Sequence, residues 1–237
     1  MLLDLIGGFD AANPMVTVLE LAQLLIIVLL TLTVHEVAHG WAAKKLGDDT
    51  AERQGRLSLN PVNHLDPIGF LCMLIAGFGW AKPVPINARR FKNPKLGMAI
   101  SALAGPLSNL LMAFAAVIPM ELLFYYLMSD AAVTASDFAV KLAAVTLSFL
   151  LTFHYMNITL AIFNFLPIPP LDGSRVLYSV LPDKLYFGVM KYERTISLAI
   201  MLMLFLGVLD FPLSWLSEKI SYGMQWLVPI EKIILRF

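Results

Sequence analysis

Apolar residues dominate the chain in long blocks, and the few polar positions between them divide it into segments. Leu21 to Val34 carries no charge, and the run reaches back through Val16-Thr17-Val18 past a single Glu20. Leu96 to Ser129 contains one charged residue, Glu121. Leu142 to Leu171 contains none, with His154 as its only titratable side chain, and Thr195 to Leu209 is uncharged and continues beyond Asp210 to Ser217. A helix needs about 20 mostly apolar residues to cross a hydrocarbon layer about 30 Å thick. The pattern therefore predicts a mainly α membrane protein with about four transmembrane helices.

A fifth apolar run, Pro67 to Ala81, is short for a span and is interrupted by Gly69, Gly77 and Gly79. It reads as a re-entrant or interfacial segment, because irregular backbone at membrane depth is tolerated where protein or water satisfies it. Two short stretches beside it, Arg56-Leu57-Ser58-Leu59 and Val84-Pro85-Ile86-Asn87, have extended character. Between the first two helices the residues alone leave two readings open, a plain cytoplasmic loop or a small membrane-associated re-entrant β/loop region.

Charge sets the orientation. No Lys or Arg precedes Lys44, whereas Lys44, Lys45, Arg53, Arg56, Lys82, Arg89, Arg90, Lys92 and Lys95 crowd the segment 42–95. Arg175, Lys184, Lys191 and Arg194 follow the third helix. Lys and Arg collect in cytoplasmic loops, so all these loops share one side if Pro67–Ala81 dips in and returns. The topology is then N-terminus out, with the first helix running out to in. The C-terminal piece Trp215–Phe237 reads as an interfacial amphipathic segment. The start of the chain lacks a basic n-region and cleavage site, so the first apolar run is expected to be a retained span. The whole, 1–237, reads as a single integral-membrane domain: a core over 15–180, the re-entrant and cytoplasmic segment 42–95, and a further helix with the C-terminal segment over 190–237.

Composition narrows the function classes. The chain is 59% hydrophobic and 14% charged, against about 25% charged in soluble domains. Its 17 basic and 17 acidic residues give no net charge, which disfavours nucleic acid as a partner. The single cysteine, Cys72, excludes an intramolecular disulfide and any cysteine-only zinc cluster; among Phe70, Leu71, Met73 and Leu74 it reads as a small apolar residue.

The chemistry lies at the end of the first helix, in His35-Glu36-Val37-Ala38-His39. His-Glu-x-x-His puts two imidazoles one helical turn apart on one face, as two ligands of one ion require, and places a carboxylate beside them that can take a proton from water. Ionisable groups at this depth are costly, about 2.5–3.5 kcal/mol for a carboxylate near a helix centre on insertion scales. A catalytic zinc site typically has three protein ligands. The third could come from His64, Asp66, His154 or Asp172. His154 sits mid-helix and reads as an interhelical hydrogen-bonding residue. Asp172 follows Pro167, Pro169 and Pro170, which break the third helix as it returns to the basic side, bringing it to the side and depth of the two histidines.

Together, His35-Glu36-x-x-His39 and Asn164-x-x-Pro167-x-x-x-Leu171-Asp172-Gly173 resemble the site-2 protease family of intramembrane zinc metalloproteases (peptidase family M50). Leu59-Asn60-Pro61, His64-Leu65-Asp66-Pro67-Ile68-Gly69, Gly79 to Asn87 and Ala104-Gly105-Pro106-Leu107-Ser108-Asn109 look familial too, so the resemblance covers about residues 30 to 180. It implies one zinc ion held by His35, His39 and Asp172, with Glu36 as general base. It also implies that Asn164 helps hold the substrate carbonyl and that His64 is a possible accessory residue. The expected activity is hydrolysis of a peptide bond in or near a transmembrane helix of a membrane-protein substrate, within the bilayer of a prokaryotic inner membrane, with the catalytic side toward the cytoplasm. The accessory PDZ and CBS domains of some family members have no counterpart in this sequence. A non-hydrolytic membrane metal-binding or transport protein is the competing reading, and the role of Glu36 separates the two.

Overall fold

The computed structural model describes residues 14–76, 79–182, 185, 188 and 191–228. The three longest apolar runs form continuous helices. Helix α1 spans Pro14–Lys45 and, at 1.5 Å per residue, reaches about 48 Å, more than a bilayer's hydrocarbon layer. It is stopped by a Schellman motif: Gly47 adopts φ 108°, its N–H reaches Lys44 O, and the Asp48 N–H reaches Ala43 O. Lys44 and Lys45 lie in its last turn, where cations complement the helix dipole.

The loop beyond is organised by Asp48, which is fully buried. Its carboxylate accepts hydrogen bonds from the Thr50 hydroxyl, the Thr50 N–H at 3.1 Å and the Asn87 N–H at 2.6 Å, with Arg90 at 4.0 Å. Burial alone would raise its pKa. The Thr50 and Asn87 hydrogen bonds and the Arg90 charge outweigh burial and hold the carboxyl below its ordinary value. Its stabilising effect is therefore complete above the unfolded-state pKa, about 3.9, and fades as pH falls through the lower folded value. Asp48→Asn would turn an NH₂ group toward a donor, and we expect it to destabilise the fold by about 1–3 kcal/mol, read as a lower unfolding temperature in detergent.

Short helix α2 (Thr50–Arg53), a 3₁₀ turn at Pro61–His64, helix α3 (Pro67–Ala76) and a second 3₁₀ turn at Ala88–Arg90 complete this segment. Among the described residues it contains no strand, only an isolated antiparallel bridge between Leu65 and Ala81, with the Lys82 N–H donating to His64 O at 2.8 Å. The extended stretches 56–59 and 84–87 are thus not strands. Pro83 and Pro85 have no N–H, and the Val84 and Asn87 N–H groups are taken by the carboxylates of Glu36 and Asp48, leaving little to build a ladder. The two ends of the 67–81 run lie side by side. The approach is so close that a Cβ on Gly69 would stand 2.1 Å from Trp80 O.

Helix α4 (Pro94–Met128) begins with Asn93 capping the Leu96 N–H and Pro94 in its first turn. A short helix, α5 (Asp130–Thr134), leads to α6 (Asp137–Phe165), capped by Ser136 and ended before Pro167. Helices α1, α4 and α6 are each long and apolar enough to cross a membrane. Helix α4 packs chiefly on α6, then on α1 and on helix α7 (Asp172–Val180). The bundle buries polar side chains among its apolar ones and turns large apolar side chains outward. Thr31, Asn109, His154 and Asn157 are buried, while Leu111 and Ile118 are 70% and 49% exposed, the arrangement expected where lipid is the solvent.

The last apolar run departs from expectation. It forms α8 (Glu193–Phe205) and α9 (Asp210–Leu227), bent by 80° at the break between them, so the pair amounts to a fourth span only if counted as one broken crossing. A second Schellman motif explains the break: Gly207 has φ 68°, its N–H bonds Leu204 O, and the Val208 N–H bonds Met203 O. Nor is α9 simply laid on a membrane surface. Ser217 and Ser221 are buried against α6, bonded to Thr159 at 3.0 Å and to His154 at 2.9 Å. The remainder of the 215–237 segment, with Lys232 and Arg236, lies outside the described residues, as does Lys184.

Candidate metal centre

Helical periodicity turns His35 and His39 to the same face of α1, toward α4. The rings fit because α4 presents Gly105 to them: a Cβ there would lie 2.4 Å from His39 Cε1 and Nε2 and 2.7 Å from His35 Cε1. The proline-rich connection after α6 delivers Asp172 as the first residue of α7. Gly173 secures that placement, since its Cα packs where a Cβ would meet Phe165 O at 2.3 Å and Leu166 O at 2.5 Å.

Three atoms converge. Asp172 Oδ2 lies 3.1 Å from His35 Nε2 and 3.3 Å from His39 Nε2, and the two Nε2 atoms are 3.0 Å apart. Each imidazole is held through its other nitrogen. His35 Nδ1 pairs with Asn109 Oδ1 at 2.6 Å, and His39 Nδ1 with the Ser101 carbonyl at 2.8 Å. Both partners are acceptors, so both histidines carry their proton on Nδ1 and direct an Nε2 lone pair inward. No donor hydrogen then points into the cluster, and Asp172 Oδ2 is buried without a hydrogen-bond partner.

Three lone pairs crowded without a proton among them repel one another unless a cation lies between. Zinc–nitrogen and zinc–oxygen bonds of about 2.0–2.1 Å at tetrahedral angles separate neighbouring ligand atoms by about 3.3 Å, close to the spacing here. Donor set, spacing and second-nitrogen hydrogen bonds all fit a divalent metal of the zinc type.

The other residues singled out from the sequence fall around this cluster. Glu36 is half-buried beside it, and its Oε2 accepts the Val84 N–H at 2.8 Å. Val84 can approach because Gly40 leaves room for it: a Cβ at 40 would be 2.9 Å from Val84 Cγ1. Asn164 stands in the last turn of α6, with its amide donating to Leu160 O at 3.1 Å. His64 is buried in the 3₁₀ turn, donates through Nε2 to Ser58 O at 2.7 Å, and is not part of the cluster. Asp66 accepts the N–H groups of Ile68 and Gly69 at the start of α3. His154 ties α6 to the Ala113 carbonyl of α4 and to Ser221 of α9, the interhelical role its position suggested.

Ser101, Asn157 and Thr31 were missed in the sequence, and Asn109 was noted only within a familial patch. For Asn157 a signal existed: an amide inside the uncharged run 142–171 is costly unless it has a task. A cleft of about 830 Å³ also opens between α1 and α6, lined by Thr31, Leu32, Thr159, Leu160 and Phe163 among others, one helical turn from His35.

The family model for peptidase family M50 matches residues 23–209. The chain is 42% identical over 159 residues to the candidate zinc metalloprotease YwhC of Bacillus subtilis, covering 67% of this chain and 69% of that protein. It is 29% identical over 154 residues to the candidate zinc metalloprotease Rip2 of Mycolicibacterium smegmatis, covering 63% of this chain and 53% of that one. No solved structure matches the chain. The chain belongs to peptidase family M50.

Proposed function

We propose that this member of peptidase family M50 is an intramembrane zinc metalloprotease that hydrolyses a peptide bond in or near a transmembrane segment of a membrane-protein substrate. The observation that carries this reading is the convergence of His35 Nε2, His39 Nε2 and Asp172 Oδ2 at ligand spacing, beside Glu36. Bound there, zinc would polarise the scissile carbonyl and lower the pKa of its water from 15.7 to about 7. Glu36 accepts the proton of the attacking water and passes it to the leaving amine. The Val84 N–H holds one oxygen of that carboxylate, leaving the other for the proton. Asn164 reaches a substrate carbonyl once its amide leaves Leu160. His64 bonds the Ser58 carbonyl and stands outside the ligand cluster, where an accessory role is open to it.

The membrane setting rests on the three long apolar helices, and the substrate approach on the cleft between α1 and α6. The side-by-side ends of the 67–81 run support its re-entrant reading, which leaves the basic residues of 42–95 and Arg175 on one side, the cytoplasmic side of a prokaryotic inner membrane. Cysteines introduced at Lys92 and Arg175 should accordingly label from the same face of the membrane, and labelling from opposite faces would refute the arrangement.

Zinc content and cleavage of a model transmembrane substrate test the function directly. Wild type should bind one zinc ion per chain. Asp172→Asn, which replaces a charged ligand by a neutral one, should lose at least about tenfold in zinc affinity and cleavage together. Undiminished zinc affinity in Asp172→Asn would overturn the ligand assignment.

A further inference from the structure

The hydrogen bond that orients His35 does not end at Asn109. Asn109 Nδ2 donates to Asn157 Oδ1 at 2.9 Å, and Asn157 Nδ2 donates in turn to Thr31 Oγ1 at 3.1 Å and to the Phe153 carbonyl at 2.8 Å. Thr31, Asn109 and Asn157 are each 1% exposed or less, so no water competes for these groups.

The far end has a defined polarity. A backbone carbonyl can only accept, so the Phe153 carbonyl requires Nδ2 of Asn157 to face it. That turns Asn157 Oδ1 toward α4, where only the NH₂ group of Asn109 can satisfy it. Asn109 must then present Oδ1 to His35, and His35 Nδ1 must carry the proton. Reversing any amide would put donor against donor or acceptor against acceptor in a dry interior, at a cost of about 1–3 kcal/mol for each unsatisfied group. With the opposite tautomer, a proton on Nε2 would occupy the lone pair that faces Asp172 and His39.

We propose that Asn157 is a positioning residue of the metal centre: acting through Asn109, it sets the tautomer of His35 and keeps the Nε2 lone pair available to a divalent cation. The relay joins α6 to α4 and α1, so the centre forms fully only when all three helices are packed. The inference rests on the reading above, in which His35 Nε2 faces zinc, but its first test is independent of bound metal.

In zinc-free, histidine-¹⁵N-labelled protein in detergent, His35 should carry its proton on Nδ1; a predominant Nε2–H form would overturn the proposal. Asn157→Leu, similar in size and unable to hydrogen-bond, should weaken zinc binding about 10–100-fold in chelator competition while the protein still unfolds cooperatively. A folded Asn157→Leu protein with wild-type zinc affinity would refute it. Adding Asn109→Asp supplies a carboxylate that accepts from His35 Nδ1 whatever residue 157 is. The double variant should recover at least about tenfold over Asn157→Leu. No recovery would mean that Asn157 serves only the packing of α6. Should wild type bind no zinc at all, the proposed function fails, whereas the same measurement on zinc-free Asn157→Leu still decides this inference: His35 should lose its uniform Nδ1–H form, and an unchanged tautomer would overturn it.

Discussion

Glu36→Gln is expected to leave zinc bound at wild-type occupancy while lowering cleavage of a transmembrane substrate about 10²–10⁴-fold, the range that general acid–base catalysis supplies. The two properties separate because Glu36 lies outside the ligand cluster. Glutamine has nearly the same shape, and its carbonyl oxygen can still accept the Val84 N–H, so the local packing survives. What it cannot do is take a proton from water. A metal-transport or sensing protein built on the same ligands would tolerate the change, since nothing in its task requires proton transfer. Equal zinc content with abolished cleavage therefore separates a hydrolase from its main rival, and cleavage that persists in Glu36→Gln would sink the mechanism.

Gly105→Ala is expected to damage the centre without touching any ligand. The new Cβ would stand 2.4 Å from two atoms of the His39 ring and 2.7 Å from His35 Cε1. Neither ring can swing aside freely, because each is held through Nδ1, one by Ser101 and the other by Asn109. Relief must come from separating α1 and α4 or from abandoning those bonds. Overpacking of this kind costs about 1–3 kcal/mol, which at about 1.4 kcal/mol per tenfold is a loss of about 5–140-fold in zinc affinity, with cleavage falling alongside. Gly223→Ala in α9 is the control, because a Cβ there meets nothing within 4 Å. Zinc binding of Gly105→Ala equal to that of the control would show that the rings relax without cost.

The legible and illegible parts of this protein differ in how far apart in the chain the deciding residues lie. The spans α1, α4 and α6 could be read directly, because a run of apolar side chains meets its fate residue by residue in lipid, whatever else the chain does. His35, Glu36 and His39 could be read because their geometry is internal to one helix. Asp172 required the additional step that prolines return the third span to the same side. The bend between α8 and α9 was written locally in Gly207, yet hydropathy obscured it, since an uncharged run registers apolarity and not the backbone conformation a glycine permits.

Other features had no local signature. The Val84 N–H reaches Glu36 across 48 positions, Asn109 meets His35 across 74, and Asn157 meets Thr31 across 126. The carboxylates of Glu36 and Asp48 took the Val84 and Asn87 backbone donors that a strand at 84–87 would have needed. By itself, then, the sequence determined the membrane-embedded class, the two histidines with their neighbouring glutamate, and the family. The tertiary structure decided that Asp172, of the four candidates the residues left open, meets the two histidines, which nitrogen of each histidine is free, and which polar side chains hold them so. The physical reason is that hydropathy and helical periodicity act over neighbouring residues, whereas a hydrogen-bond partner in a dry interior is chosen by helix packing.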